Sequence, residues 1–182
     1  MRIFIACNIP ESLKERLEDF QESLKSDEDK IKWVEKENLH LTMKFIGETD
    51  EKDIEEIKRC LSTVKLKAFL TSVSDFGVFP QKGHIRVVWM GLSPANQIND
   101  LHEKIDLTLN EIGFERTARF QPHITLGRVN YIENKDEFTK KVDEIKGDFE
   151  SEPFKIDRFV LKKSVLTPQG PIYSDLAEFM SE

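Results

Sequence analysis

Two spacings of apolar residues take turns along the chain, and they divide it into strands and helices. Short runs rich in β-branched and apolar residues read as strands at Arg2–Ile9, Ile31–Val34, Leu39–Ile46, Leu66–Phe76, Ile85–Leu92, Phe120–Val129, Phe154–Val165 and Ile172–Phe179. Helical spacing links Leu13, Leu17, Phe20 and Leu24, with Pro10 and Glu11 suited to the first turn. It returns at Ile54, Ile57, Leu61 and Val64. The strongest stripe, Ile98, Leu101, Ile105, Leu109 and Ile112, opens after Pro94 and stops at Gly113. A fourth helix is expected from a cap at Asn134, with Phe138, Val142 and Ile145 inward and Gly147 at its end. Gly77–Gly83 and Thr167–Pro171 read as turns.

Four helices amid about eight strands, some strands following one another directly, predict an α+β fold. One local pattern occurs twice. Asn38-Leu39-His40-Leu41-Thr42-Met43 and Pro122-His123-Ile124-Thr125-Leu126 both carry His-apolar-Thr-apolar on a strand. Side chains alternate across a strand, so His40 and Thr42 share one face while Leu41 and Met43 share the other. His123 and Thr125 repeat this against Ile124 and Leu126. Each copy shows a polar face outward and an apolar face to a core, and each precedes a helix. The pattern predicts two similar lobes, each giving one His strand to a shared cleft.

Two facing imidazoles suit acid–base chemistry near neutrality. Breaking a phosphodiester needs one group to activate the attacking oxygen and another to protonate the leaving oxygen. Donors on the non-bridging oxygens complete the set, and the Thr42 and Thr125 hydroxyls can supply them. Arg128, five residues beyond His123, can add positive charge if it swings into the cleft. This chemistry calls for no metal and no cofactor.

Plainer readings stand beside that one. A lone strand histidine is more often structural than catalytic, threonine is a good strand former, and an arginine at a strand end is often a surface charge. Two histidines without neighbouring Cys or carboxylates fall short of a zinc shell. His84 and His102 lack the pattern and read as structural or solvated. Trp33, Trp89 and most phenylalanines read as core, and Lys162-Lys163 as solvated, with a smaller claim to face substrate.

Composition narrows the field. The 182 residues carry a net charge of −7, which argues against coating a long nucleic-acid backbone and leaves room for local grip on one phosphate. No apolar run nears the roughly 20 residues of a membrane span. The start, Met1–Cys7, is too short for a signal peptide, so the expected location is cytoplasmic. Cys7 and Cys60 fit no metal or redox spacing and are expected to be reduced. The acidic surface and the lack of an obvious apolar patch point to a monomer.

With these residues in view, the chain resembles the two-histidine phosphoesterases, specifically the bacterial and archaeal RNA 2',3'-cyclic phosphodiesterases, also called 2'-5' RNA ligases. The likeness runs nearly end to end. It rests on Arg2-Ile3-Phe4-Ile5-Ala6, on Trp33-Val34 with Asn38–Gly47, and on Phe76-Gly77-Val78-Phe79-Pro80 with Val87-Val88-Trp89-Met90-Gly91. Pro122–Arg128 and Gly170-Pro171-Ile172-Tyr173 complete it. The resemblance implies one two-histidine phosphoesterase domain over residues 1–182. It would be made of two intertwined, pseudo-twofold-related lobes of antiparallel sheet, with outer helices around a central cleft. It further implies metal-independent hydrolysis of RNA 2',3'-cyclic phosphate ends to 2'-phosphates. His40 would protonate the leaving 3' oxygen and His123 would take a proton from water. Arg128 would assist, and Thr42 and Thr125 would bind phosphate oxygens. Two alternatives stay open: 2'-5' RNA ligation in the same site, and a module that binds nucleotides or RNA ends without turnover. Whether Lys162, Lys163 or Tyr173 meets substrate is left open by the sequence.

Overall fold

A computed structural model of the protein describes residues 1–149 and 152–182. Among the described residues, nine strands and four α-helices follow in the order β1 Arg2–Asn8, α1 Glu11–Leu24, β2 Lys30–Trp33, β3 His40–Glu48, α2 Ile54–Leu61, β4 Phe69–Phe79, β5 Val87–Ser93, α3 Asn96–Glu111, β6 His123–Tyr131, α4 Lys135–Gly147, β7 Phe154–Ile156, β8 Arg158–Thr167 and β9 Gly170–Met180. The strands form two antiparallel sheets, ordered β3-β1-β8-β9 and β2-β6-β5-β4-β7.

The two sheets repeat one plan. In each, a His-motif strand pairs with the first strand of its own half, and that strand pairs with one from the other half: β3-β1-β8 in the first sheet, β6-β5-β4 in the second. Each half therefore lends a strand to its counterpart. The helices cross over as well. Phe20 of α1 stacks on Phe76 of the second sheet, ring centroids 4.0 Å apart, and Phe149 beyond α4 closes over both. Conversely, α3 packs on β3 of the first sheet, with α2 beside it.

The helices form where the apolar stripes placed them. Leu13, Leu17, Phe20 and Leu24 are buried on α1, and Ile98, Leu101, Ile105 and Leu109 on α3. Asn134 caps α4 by accepting a hydrogen bond from the Glu137 backbone N–H. Gly113 takes a φ of +95° after α3, a left-handed turn that favours glycine. In β1 all five central residues are buried, as befits a strand covered on both faces.

Two strand expectations need correction. Phe154–Val165 is not one strand: it breaks at Asp157, with β7 pairing β4 in the second sheet and β8 pairing β1 in the first. The apolar residues on either side, Phe154 and Ile156 before Asp157 and Phe159, Val160 and Leu161 after it, are buried alike, so their pattern does not mark the change of sheet. Gly77–Phe79 belongs to β4 rather than to a turn. The glycine there serves packing, since a Cβ at Gly77 would lie 2.6 Å from the Trp89 indole.

Candidate active site

His40 opens β3 and His123 opens β6. Both rings, with Thr42, Thr125 and Arg128, line one cavity of about 780 Å³ between the sheets. The expected constellation is thus brought together from residues 83 positions apart along the chain (123 minus 40).

The two imidazoles are held alike. His40 Nδ1 donates to the Asn38 carbonyl at 2.6 Å, and His123 Nδ1 donates to the Gln121 carbonyl at 2.8 Å, each two residues upstream. A carbonyl can only accept, so in both rings Nδ1 carries hydrogen and Nε2 is left for chemistry. Asn38 is itself anchored, its side-chain amide donating to the Pro171 carbonyl at 3.0 Å. The Thr42 hydroxyl lies 2.9 Å from His40 Nε2 and donates to it.

Arg128 reaches the cleft by a route that simple alternation forbids. Five residues separate it from His123, an odd number, which on a regular strand would put the two on opposite faces. Leu126 is an extra residue in β6: Thr125 pairs with Trp89 and Gly127 with Val88. This bulge resets the alternation and returns Arg128 to the face of His123. The first lobe has the same device. Met43 is extra in β3, between Thr42 opposite Ala6 and Lys44 opposite Ile5, so Phe45 joins the face of His40. Both bulges fall three residues past the histidine, and the residue five past it lines the cavity in each lobe.

The surroundings of His40 are apolar. Its ring lies 5.1 Å from the Phe4 ring and 5.5 Å from that of Tyr173, centroid to centroid, and Phe4 and Tyr173 meet edge-on at 4.9 Å. Burial pushes the imidazole down to about 4, the Asn38 hydrogen bond opposes this, and the Lys162 and Lys14 charges add to the lowering. In the unliganded protein His40 is therefore neutral near pH 7. His123 is exposed. Tyr173 is shifted upward by burial, with the Arg128 charge pulling the other way, so the arginine of the second sheet is felt by a tyrosine of the first.

Helix α3 braces both motifs. His102 is buried, donates through Nδ1 to the Met43 carbonyl at 2.8 Å, and stacks on Phe120 with ring centroids 3.7 Å apart. One turn along, buried Asp106 accepts from Lys44 Nζ at 2.5 Å, from Arg116 Nε at 3.1 Å and from the Thr117 backbone N–H at 3.1 Å. Lys44 Nζ also donates to the Glu115 carbonyl at 2.7 Å. The strand that carries His40 is thereby tied to the segment that leads into His123.

The LigT-like phosphoesterase family matches residues 8–89 and again 91–173, one His motif in each stretch. This chain belongs to that family. Like it are the RNA 2',3'-cyclic phosphodiesterases of Methanocaldococcus jannaschii, 40% identical over 98% of this chain and 100% of the relative, and of Thermotoga maritima, 38% identical over 100% and 96%. Among solved structures, a Thermus thermophilus protein superposes with a TM-score of 0.82 at 25% identity, covering 99% of this chain and 97% of that one. Escherichia coli LigT, solved in complex with 3'-AMP, shares the fold with a TM-score of 0.80 at 21% identity and coverage of 99% and 97%.

Against the family's fold, several sequence readings stand and several change. In this LigT-like phosphoesterase His84 is exposed and His102 is structural, as expected. Cys7 and Cys60 are unpaired, and burial lifts the Cys7 thiol to about 12. Among the described residues, no helix is long and apolar enough to cross a membrane. Lys162 departs from expectation: it is buried and bonded to Asp175 at 2.6 Å, sits opposite Phe4 in register, and is absent from the cavity wall, as is the half-exposed Lys163. Trp33 and Trp89 are half-buried and line the cavities, and of the two Trp33 also packs against the core. Tyr173 and Phe4 complete the wall beside His40, which strand alternation does not show, since it names a face without naming what that face meets.

Proposed function

We propose that the protein hydrolyses RNA 2',3'-cyclic phosphate ends to 2'-phosphates without a metal ion. The observation that carries this reading is the pair of Nδ1-anchored histidines sharing one cavity with two threonines and an arginine. The names of the relatives that align along the whole chain support the substrate class. In this reading water attacks phosphorus opposite the 3' oxygen. His123 Nε2 takes the proton from water, the P–O3' bond breaks, and His40 Nε2 delivers a proton to O3'. The product keeps phosphate on O2' and gains a free 3'-hydroxyl. Thr42, Thr125 and Arg128 hold the non-bridging oxygens, whose charge grows as water adds.

The acid role asks for a protonated His40, whereas burial by itself holds the ring neutral. The substrate supplies the remedy. A phosphate monoanion placed beside Nε2 favours the imidazolium and offsets the desolvation. His40 is thus charged on binding, and proton uptake accompanies it. Two experiments test the reading. An oligonucleotide ending in a 2',3'-cyclic phosphate is incubated with and without EDTA, and the position of the product phosphate is read by chromatography and 31P NMR. A 2'-phosphate formed equally with EDTA is expected; a 3'-phosphate, a 2'-5' linkage or loss of turnover with EDTA would overturn it. Calorimetry of 2'-phosphate binding in two buffers of different ionisation heat reports proton uptake. Its absence at pH 7 would reverse the acid and base assignments.

A further inference from the structure

A second cavity, of about 540 Å³, opens beyond His123. Val87, Arg119, Gln121 and His123 line both cavities, so the second continues the first. Its other walls include Phe79 and Trp89.

The Trp89 indole has a seat made for it. Trp89 pairs across the ladder with Gly77 of β4 and lies two residues from Gly91 on its own strand. A Cβ at Gly77 would come within 2.6 Å of the indole, and one at Gly91 within 3.3 Å. The ring therefore lies against two stretches of bare backbone, which lets it lean flat on the sheet on the face that carries Thr125, its partner in β6. It is only half-buried there. Phe79, two residues along β4 from Gly77, leaves its phenyl 64% exposed beside it. A flat indole next to an exposed phenyl, at the mouth of a cleft for phosphate, has the form of a stacking platform for a nucleobase. Arg119 stands where the two cavities join and is exposed; among the described residues it forms no salt bridge. A free guanidinium at that junction suits the phosphodiester that links two nucleosides.

We propose that this cavity is a second nucleobase subsite, taking the base of the nucleotide just upstream of the cyclic-phosphate terminus, stacked on Trp89 and Phe79, with Arg119 on the linking phosphodiester. It rests on the reading of the main cavity as the cyclic-phosphate site. It also accounts for the Phe76–Pro80 and Val87–Gly91 segments, whose glycines lie on the platform and not in turns.

The test compares kcat/KM for a nucleoside 2',3'-cyclic phosphate and for the dinucleotide with the same cyclic-phosphate end. The wild type should favour the dinucleotide by about tenfold or more, mostly through KM, the scale of one base–aromatic stack. Phe79→Ala and Trp89→Leu should shrink that ratio several-fold, as should Gly77→Ala, whose added methyl displaces the indole. A ratio taken within each variant cancels any loss of active protein. An exposed control, Leu107→Ala on α3, should keep the wild-type ratio. A dinucleotide lacking the upstream base should fall back towards the mononucleotide. A wild-type ratio near one, or a ratio untouched by the platform variants, overturns the subsite and leaves the main reading standing. Formation of a 2'-5' linkage to an added 5'-hydroxyl nucleoside, with no dinucleotide preference, would assign the cavity to a second strand and overturn it likewise. Failure of the wild type on both substrates would instead sink the reading of the main cavity.

Discussion

Replacing Asp106 by Asn should uncouple the two histidine motifs and destabilise the fold. The Asp106 side chain is 1% exposed and that of Lys44 4% exposed. Asparagine keeps the shape and the acceptor while leaving the Lys44 ammonium buried without its counter-charge. Breaking a buried pair from one side costs roughly 3–5 kcal/mol. Lys44 retains the Glu115 carbonyl as an acceptor, which places the expected loss near the lower end, about 3 kcal/mol. For a chain of this length that corresponds to a fall in Tm of roughly 6–12 °C. Lys44→Met should cost a comparable amount, and a Lys44→Met/Asp106→Leu double variant should recover part of it, with a coupling of about 1–3 kcal/mol. The loss carries a pH signature. Burial would raise the Asp106 carboxyl, but hydrogen bonds from Lys44, Arg116 and Thr117 outweigh it and hold the group well below the usual carboxylate range. A depressed folded value gives stability that is complete above the unfolded value, about 4, and is lost as pH falls below it. Asp106→Asn should flatten that part of the profile. Urea denaturation from pH 7 to pH 3 measures both effects. Single variants within about 0.5 kcal/mol of wild type at pH 7, the error of such additivity arguments, would refute the reasoning. Because the brace fixes the approach to His123, kcat should also fall about tenfold with little change in KM.

Other substitutions probe the site itself. Arg128→Ala should lower kcat/KM by about 10²–10³-fold, the scale of one lost oxyanion donor, as read by steady-state kinetics; a change below about threefold would remove Arg128 from the phosphate site. Proton NMR of the unliganded protein should show the His40 ring titrating near 4 with hydrogen on Nδ1, and a midpoint near 6.5 would contradict its burial. Since that depressed value binds fewer protons than the unfolded chain between about 4 and 6.5, His40 should add to the loss of stability as pH falls through that window. Denaturation of His40→Gln over the same range should show a weaker dependence. Tyr173→Leu, which removes the edge-on packing against His40 and Phe4, should raise the His40 midpoint by admitting water; an unmoved midpoint would show that the tyrosine does not wall off the ring.

Much of the site was legible because strand alternation is a strict local rule. It placed His40 with Thr42 and His123 with Thr125, each backed by buried apolar residues, and the stripes on Leu13–Leu24 and Ile98–Leu109 marked the helices that cover the sheets. What could not be read depends on pairing partners. The bulge at Leu126 that carries Arg128 into the cleft is defined by what β5 places opposite it. The break at Asp157 is a change of sheet between two stretches that bury their apolar residues alike. Lys162 looks like a solvated lysine until β9 sets Asp175 beside it. Trp89 looks like core until two glycines are seen to lay its ring flat at the surface. Each of these is a decision taken between strands distant in sequence.

The central claim is that both imidazoles act on one phosphorus atom. Single-turnover hydrolysis of a cyclic-phosphate oligonucleotide by His40→Ala and His123→Ala, each checked for native folding by circular dichroism, tests it most directly. Each variant should lose about 10²–10⁴-fold in rate, with the double variant little worse than the slower single, since an acid and a base that serve one step fail together. Near wild-type turnover in either folded single variant would contradict the account.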